Sequence, residues 1–137
     1  DWASHANDAK TAALEVLDFA EAIEVALNFY KEHPDETLIV ITADHETGGL
    51  ALGFDKGYNI FFNELDFQTF SKEVTSKSEL ILIEKANEKG HIGWTTDDHS
   101  AANVPIFAIG VSSELCAGRM DNTDIPKKIC QAMGIEF

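Results

Sequence analysis

Two short motifs in the sequence place carboxylates beside imidazoles. Asp1 and His5 are four residues apart, and Asp44 and His45 are adjacent. A third imidazole, His99, lies in a polar stretch of the second half. Mixed carboxylate and imidazole donors are typical ligands of zinc or a similar divalent cation. These side chains are therefore candidate metal ligands, provided that the fold brings them to one place.

The elements that would position these ligands are those of a layered α/β protein. Residues 37–42 predict a strand, because four apolar residues in a row lie between two threonines, and such a run is typical of a strand covered on both faces. Asp44 and His45 follow this strand directly, and sites in α/β sheets form beyond such strand ends. The spacing of Asp1 and His5 puts both on one face if that turn is helical.

The first half of the chain also predicts a long helix over residues 8–32. Its apolar side chains recur at helical spacing opposite a polar stripe. Asn7 or Asp8 can cap its start. We expect it to end before Pro34, because the residue before a proline avoids the helical region.

The second half predicts one more buried strand and a C-terminal helix. Residues 104–109 form the strand, which Gly110 ends. Shorter elements are expected as a strand at 50–54, helices at 66–74 and 78–89 (stopped by Gly90) and an apolar segment at 92–95. The C-terminal helix is expected over 121–133, with Asn122 or Thr123 as its cap, Pro126 in its first turn and Gly134 after its end.

The positions of the ligands predict the direction of the second strand. Asp44 and His45 follow their strand, whereas His99 precedes the strand at 104–109. They can meet if the loop 95–103 doubles back across the sheet or if the two strands run antiparallel. We favour the antiparallel arrangement, which makes a mixed sheet.

Composition excludes some classes of partner. The 137 residues contain 24 Asp and Glu against 10 Lys and Arg, a net charge of −14. Such a chain is not expected to bind nucleic acid or an anionic membrane surface, both of which need basic side chains. The two cysteines, Cys116 and Cys130, are too few for a disulfide framework and are expected to be free or buried thiols.

Spacing alone does not establish a metal site. An Asp-His pair in a loop is usually solvated surface, and an aspartate and a histidine four residues apart often occur by chance. We assign His33, beside Pro34, and His91, after Gly90, to this surface class.

Four blocks of sequence closely resemble the C-terminal part of the bacterial alkaline phosphatase family. They are "DWASHANDA" (1–9), "TLIVITADHETGGL" (37–50), "IGWTTDDHSAANVPIFAIG" (92–110) and "DNTDIPKKICQAMG" (121–134). They occur in the family's order from the first residue to near the last. The resemblance implies that residues 1–137 are the C-terminal portion of one domain, with 55–90 as a variable insertion. The implied fold is a partial three-layer α/β/α sandwich with a mixed, largely parallel sheet.

The same resemblance implies a two-zinc site. Asp1, His5 and His99 would hold one zinc, and Asp44 and His45 would contribute to the second. The resemblance implies that a magnesium site lies mostly outside this chain. The nucleophilic serine of the family also has no counterpart here. The implied activity is hydrolysis of phosphate monoesters through a phosphoserine intermediate, and we expect the isolated chain to be inactive.

The sequence leaves other functions open. A phosphodiesterase or sulfatase of the same superfamily would share the metal ligands, and a domain that binds a partner or a metal without catalysis would need no nucleophile. Because two strongly apolar strands have no visible partners at their outer edges, we expect a homodimer or oligomer. The family resemblance implies a periplasmic or secreted protein.

Overall fold

A computed structural model of the chain describes residues 1–53, 83–85 and 87–137. These residues divide into two compact units. One combines Asp1–Phe19 with His45–Ala102, and the other combines Ala20–Asp44 with Asn103–Phe137. The helix predicted at 66–74 and most of the insertion predicted at 55–90 lie outside the described residues. Of the helices that are described, none combines the length and apolar character needed to cross a bilayer.

The long predicted helix is confirmed and passes through both units. After a short helix, α1 (Trp2–His5), α2 extends over Ala9–Glu32. The Asp8 carboxylate caps it by accepting hydrogen bonds from the Thr11 backbone N–H at 3.1 Å and from the Thr11 hydroxyl at 2.5 Å. The bond from the Thr11 N–H satisfies one of the amides that a helix leaves unpaired in its first turn.

Two short antiparallel ladders shape the first unit. Strand β2 (Glu46–Thr47) pairs with β5 (His99–Ser100), and β3 (Ala51–Leu52) pairs with β4 (Ile92–Gly93). The strand predicted at 50–54 is therefore present but shorter. A small core forms where Ala9 and Ile92 are buried and Trp94 packs against them.

The segment before β4 is helical over 83–85 and 87–90 in the described residues. Gly90 is its last helical residue, and His91 then takes the left-handed conformation with φ 51°. The predicted helix therefore stops one residue later than expected, at a histidine. Histidine is among the residues that adopt this conformation more often than most.

The second unit contains the two strands that the sequence predicts, but not the predicted burial. The first strand is half-buried throughout, and the second alternates exposed and half-buried residues. Strand β1 (Leu38–Ile41) pairs with β6 (Phe107–Gly110), and Leu38 lies opposite Gly110. The strands are antiparallel, as predicted from the ligand positions. Strand β6 begins three residues later than expected. Pro105 has no N–H for a ladder, and its carbonyl instead accepts a hydrogen bond from the Thr42 hydroxyl at 3.0 Å.

The sheet predicted as largely parallel is not confirmed. All three strand pairs among the described residues are antiparallel and two-stranded. Each pair joins segments at least 40 residues apart in sequence and can therefore form in either direction without a tight turn. The described elements support an α/β protein but not a complete parallel sandwich.

The C-terminal helix, α3, extends over Asp124–Ala132 and begins later than expected. The Asp121 carboxylate accepts hydrogen bonds from the Thr123 N–H and hydroxyl, which form a turn ahead of the helix. These bonds lower the pKa of the Asp121 carboxyl below its ordinary value. Thr123 is the N-cap residue by position, but its side chain makes no capping bond.

The C-terminal end of α3 is closed as the sequence predicts. Gly134 takes φ 68°, its N–H donates to the Gln131 carbonyl at 3.1 Å, and the Ile135 N–H donates to the Cys130 carbonyl at 2.9 Å. These two bonds are the Schellman arrangement for a helix end. A 3₁₀ turn, Ser113–Cys116, precedes the helix. Cys116 and Cys130 are both free, as expected.

Candidate metal centre

Three of the predicted ligands lie together in the first unit. Asp1, His5 and His99 each offer one ligand atom, and these atoms all lie within 4.8 Å of one another. The single turn of α1 brings His5 Nε2 to 3.7 Å from Asp1 Oδ2, and β5 supplies His99. Four tetrahedral ligands of zinc lie about 3.4 Å apart, given bond lengths near 2.1 Å. Small side-chain rotations would therefore suffice for one divalent cation to contact all three.

The His5 ring is oriented by the backbone. Its Nδ1 lies 2.8 Å from the carbonyl oxygen of Asp97. A carbonyl only accepts hydrogen bonds, so Nδ1 carries the proton and donates. The lone pair of the neutral ring is then on Nε2, the atom that faces Asp1. Metal-binding histidines are commonly held by such a bond from the other ring nitrogen.

Thr47 contacts two of the predicted ligands at once. Its hydroxyl donates to Asp1 Oδ1 at 2.7 Å and lies 3.2 Å from His45 Nδ1. Because the hydroxyl proton is used on Asp1, His45 Nδ1 must donate to the threonine oxygen. The sequence interpretation did not identify Thr47 as a site residue. It lies on β2 directly opposite His99, and this pairing is visible only in the fold.

His45 packs against the group of three without being one of its members. Its ring stacks on His99 with 3.5 Å between centroids and 21° between planes. Asp44, the fifth predicted ligand, is exposed and belongs to the second unit. The structure therefore brings four of the five predicted residues into one cluster of the first unit. Their role as ligands stays a prediction.

Gly48 holds the backbone segments around this cluster together. The Gly48 N–H donates to the Asp98 carbonyl at 2.9 Å, and the Gly48 carbonyl accepts from the N–H groups of Thr95 and Thr96. Gly48 has φ 88°, and a Cβ there would lie 2.5 Å from the Trp94 ring. Glycine is required at this position, because a side chain would be strained and would also displace the tryptophan.

The donor set of this cluster fits a divalent cation. One carboxylate and two imidazoles converge, and a third imidazole lies beside them. Asp1 and His99 are exposed and His5 is half-buried, so a metal could enter from solvent. This combination suits zinc better than magnesium, which prefers oxygen ligands.

Known proteins resemble the chain over nearly its whole length. The family model described as alkaline phosphatase matches residues 1–77 and 63–135. Alkaline phosphatase 3 of Bacillus subtilis is 34% identical over 97% of this chain and 38% of that protein. Alkaline phosphatase of Schizosaccharomyces pombe is 22% identical over 91% of this chain and 32% of that protein.

Solved structures agree with these sequence matches. A cold-active alkaline phosphatase from the psychrophile Shewanella sp. superposes with a TM-score of 0.82 at 31% identity, covering 96% of this chain and 42% of that one. The alkaline phosphatase of the Antarctic bacterium TAB5 gives 0.67 at 32% identity, covering 98% and 32%. This chain therefore spans between 32% and 42% of the length of these four proteins. It belongs to the alkaline phosphatase family.

Proposed function

We propose that this chain carries one zinc site and part of a second in an enzyme that hydrolyses phosphate monoesters. Asp1, His5 and His99 hold the first zinc in this proposal, and Asp44 and His45 contribute to the second. The convergence of three ligand atoms within 4.8 Å is the observation that supports it most directly. The nucleophilic serine that forms a phosphoserine intermediate, and most of a magnesium site, lie outside the 137 residues. A TAB5 alkaline phosphatase variant is described with Mg bound in its M3 site.

The residues of the chain have defined tasks in this proposal. The Asp1 carboxylate supplies negative charge, and Thr47 fixes its orientation. The Asp97 carbonyl holds His5 with Nε2 facing the same point. Two zinc ions, when bound, supply positive charge at the attacking and leaving oxygens of an in-line phosphoryl transfer. The chain thus positions the cations, and a separate part of the enzyme provides the attacking group.

Metal titration of the chain tests this proposal. We expect the metal-free chain to bind one Zn²⁺ at Asp1, His5 and His99 by calorimetry, and to bind a second only weakly. The weak site follows because Asp44 and His45 are two ligands, whereas a zinc site usually has at least three from protein. We also expect no hydrolysis of p-nitrophenyl phosphate by the isolated chain. Absence of any Zn²⁺ binding would refute the proposal, and tight binding of two ions or clear hydrolysis would refute its account of an incomplete site.

We also propose that the chain self-associates as a homodimer or oligomer. Large apolar side chains are exposed in both units, including Leu17 at 62% and Phe107 at 61%. The β1–β6 ladder has only two strands among the described residues, and open strand edges favour pairing with another chain. We expect light scattering to give a mass above that of one chain, rising with concentration. A constant monomer mass over a wide concentration range would contradict this.

The remaining parts of the proposal follow from charge and family. The net charge of −14 argues against nucleic acid or an anionic membrane as a partner. A periplasmic or secreted location is proposed from family membership alone.

A further inference from the structure

We propose that Glu46 is a positioning residue for the metal centre, holding β2 and β5 together so that His99 is kept beside the other ligands. This inference depends on the proposed function, because it concerns the same centre. Glu46 is not a member of the group of ligands formed by the described residues. It would act on the metal only through the backbone it fastens.

The contacts of the Glu46 carboxylate link two segments of the site. It accepts the Gly49 N–H at 2.9 Å on Oε1 and 3.1 Å on Oε2, which closes the turn after β2. It also accepts a hydrogen bond from the Ser100 hydroxyl, 54 residues away on β5. Both donors are neutral and the acceptor is ionised, and such hydrogen bonds are stronger than bonds between neutral groups.

The register of the ladder connects Glu46 with the ligands. Glu46 lies opposite Ser100, and Thr47 lies opposite His99. Thr47 in turn donates to Asp1. The Glu46 carboxylate therefore stabilises the first residue pair of the ladder. The second pair places the ligand His99 opposite Thr47, the hydrogen-bond partner of another ligand.

The β2–β5 ladder is so short that it needs additional hydrogen bonds to keep its register. It contains only two residue pairs. A slip of one residue would turn His99 to the opposite face, because side chains alternate along a strand. We infer that the Glu46 carboxylate provides the side-chain hydrogen bonds that keep the register, since the two backbone rungs alone are marginal.

The test is the zinc affinity of variants of the 137-residue chain, measured by competition with a chromophoric chelator. We expect Glu46→Ala to weaken Zn²⁺ binding about 10-fold, the lower end of the 10- to 100-fold cost of removing a direct hydrogen-bond partner of a ligand, because Glu46 contacts no ligand itself. The Zn²⁺ affinity of Glu46→Gln should lie between those of the unaltered chain and Glu46→Ala, because the glutamine amide keeps one acceptor oxygen but has no charge. Ser100→Ala should weaken binding nearly as much as Glu46→Ala, because the Ser100 hydroxyl makes the bond through which Glu46 reaches β5. If Glu46→Ala does not fold, Glu46→Gln and Ser100→Ala provide the test.

A spectroscopic readout separates positioning from stability. The absorption bands of bound Co²⁺ report the geometry of its ligands, and we expect them to shift in Glu46→Ala. Thr95→Val is the matched control, because the Thr95 hydroxyl donates to the Gly49 carbonyl at 3.0 Å on the same turn without reaching β5. It should lower the free energy of unfolding and leave Zn²⁺ affinity and the Co²⁺ spectrum unchanged.

The possible failures are distinguishable. If the unaltered chain binds Zn²⁺ and all Glu46 and Ser100 variants bind it equally well with the same Co²⁺ spectrum, Glu46 has a structural role only and the inference is wrong. If Thr95→Val weakens binding as much as Glu46→Ala, the effect is general loosening of the turn, and the inference is again wrong. If the unaltered chain binds no Zn²⁺, the proposed function itself fails.

Discussion

Replacing His99 with alanine is expected to lower the Zn²⁺ affinity of the chain by at least about 100-fold, since loss of a partner of a ligand already costs 10- to 100-fold. His99 is one of three residues whose ligand atoms lie within 4.8 Å of one another. Without it, Asp1 and His5 remain as two ligands on one turn of helix. Two protein ligands rarely hold zinc against water, because its sites usually have three or four.

His33→Ala is the matched control for this measurement. His33 lies in the second unit, where its ring stacks on Phe29 with 4.6 Å between centroids and its Nδ1 lies 3.4 Å from Glu36. Calorimetry should show unchanged Zn²⁺ binding for His33→Ala and loss for His99→Ala. Equal affinities for the two variants would show that the metal binds elsewhere, and the proposed centre would have to be abandoned.

Replacing Gly110 with alanine is expected to destabilise the chain by at least about 3 kcal/mol, because backbone strain and a steric clash act together. Gly110 has φ 108°, a conformation that side chains rarely adopt. A Cβ there would lie 2.1 Å from the Thr37 carbonyl oxygen. That oxygen also accepts the Val111 N–H at 3.0 Å, so moving it away would break a bond beside the β1–β6 ladder.

Gly118→Ala separates the two causes. Gly118 also has positive φ, at 88°, but nothing lies within 4 Å of a Cβ placed there. Its replacement should cost only the strain, about 1–2 kcal/mol. Urea unfolding of both variants gives the comparison. If Gly110→Ala costs no more than Gly118→Ala, the strand end relaxes around the methyl group and the predicted clash does not exist.

The elements predicted correctly have long or strongly apolar patterns. Helix α2 is 24 residues long and has an aspartate at its start, so both its extent and its cap could be predicted. The pairing direction of β1 and β6 followed from the requirement that distant ligands meet. Strands β2 and β5 were not predicted, because two residues are too few to show a period. Their pairing depends on contacts between residues about fifty positions apart.

The candidate site could be predicted as a set of ligands but not as an arrangement. Asp1, His5 and His99 have side chains whose chemistry suggests metal binding, and they lie together. Thr47 and Glu46 have no such signature. Glu46 contributes through a hydrogen bond across the β2–β5 ladder and Thr47 through a hydrogen bond to Asp1. Their only signal in the sequence is that they directly follow His45.

The hydrogen bond that orients the His5 ring has a main-chain acceptor, the carbonyl oxygen of Asp97. Every amino acid has that oxygen, so replacing the residue at this position leaves the acceptor in place. A survey of single substitutions would therefore overlook its contribution to holding the imidazole. A deletion or insertion of one residue between Trp94 and Asp98 would move the oxygen itself. Changes in the length of this loop, rather than substitutions in it, would therefore reveal how much this hydrogen bond contributes.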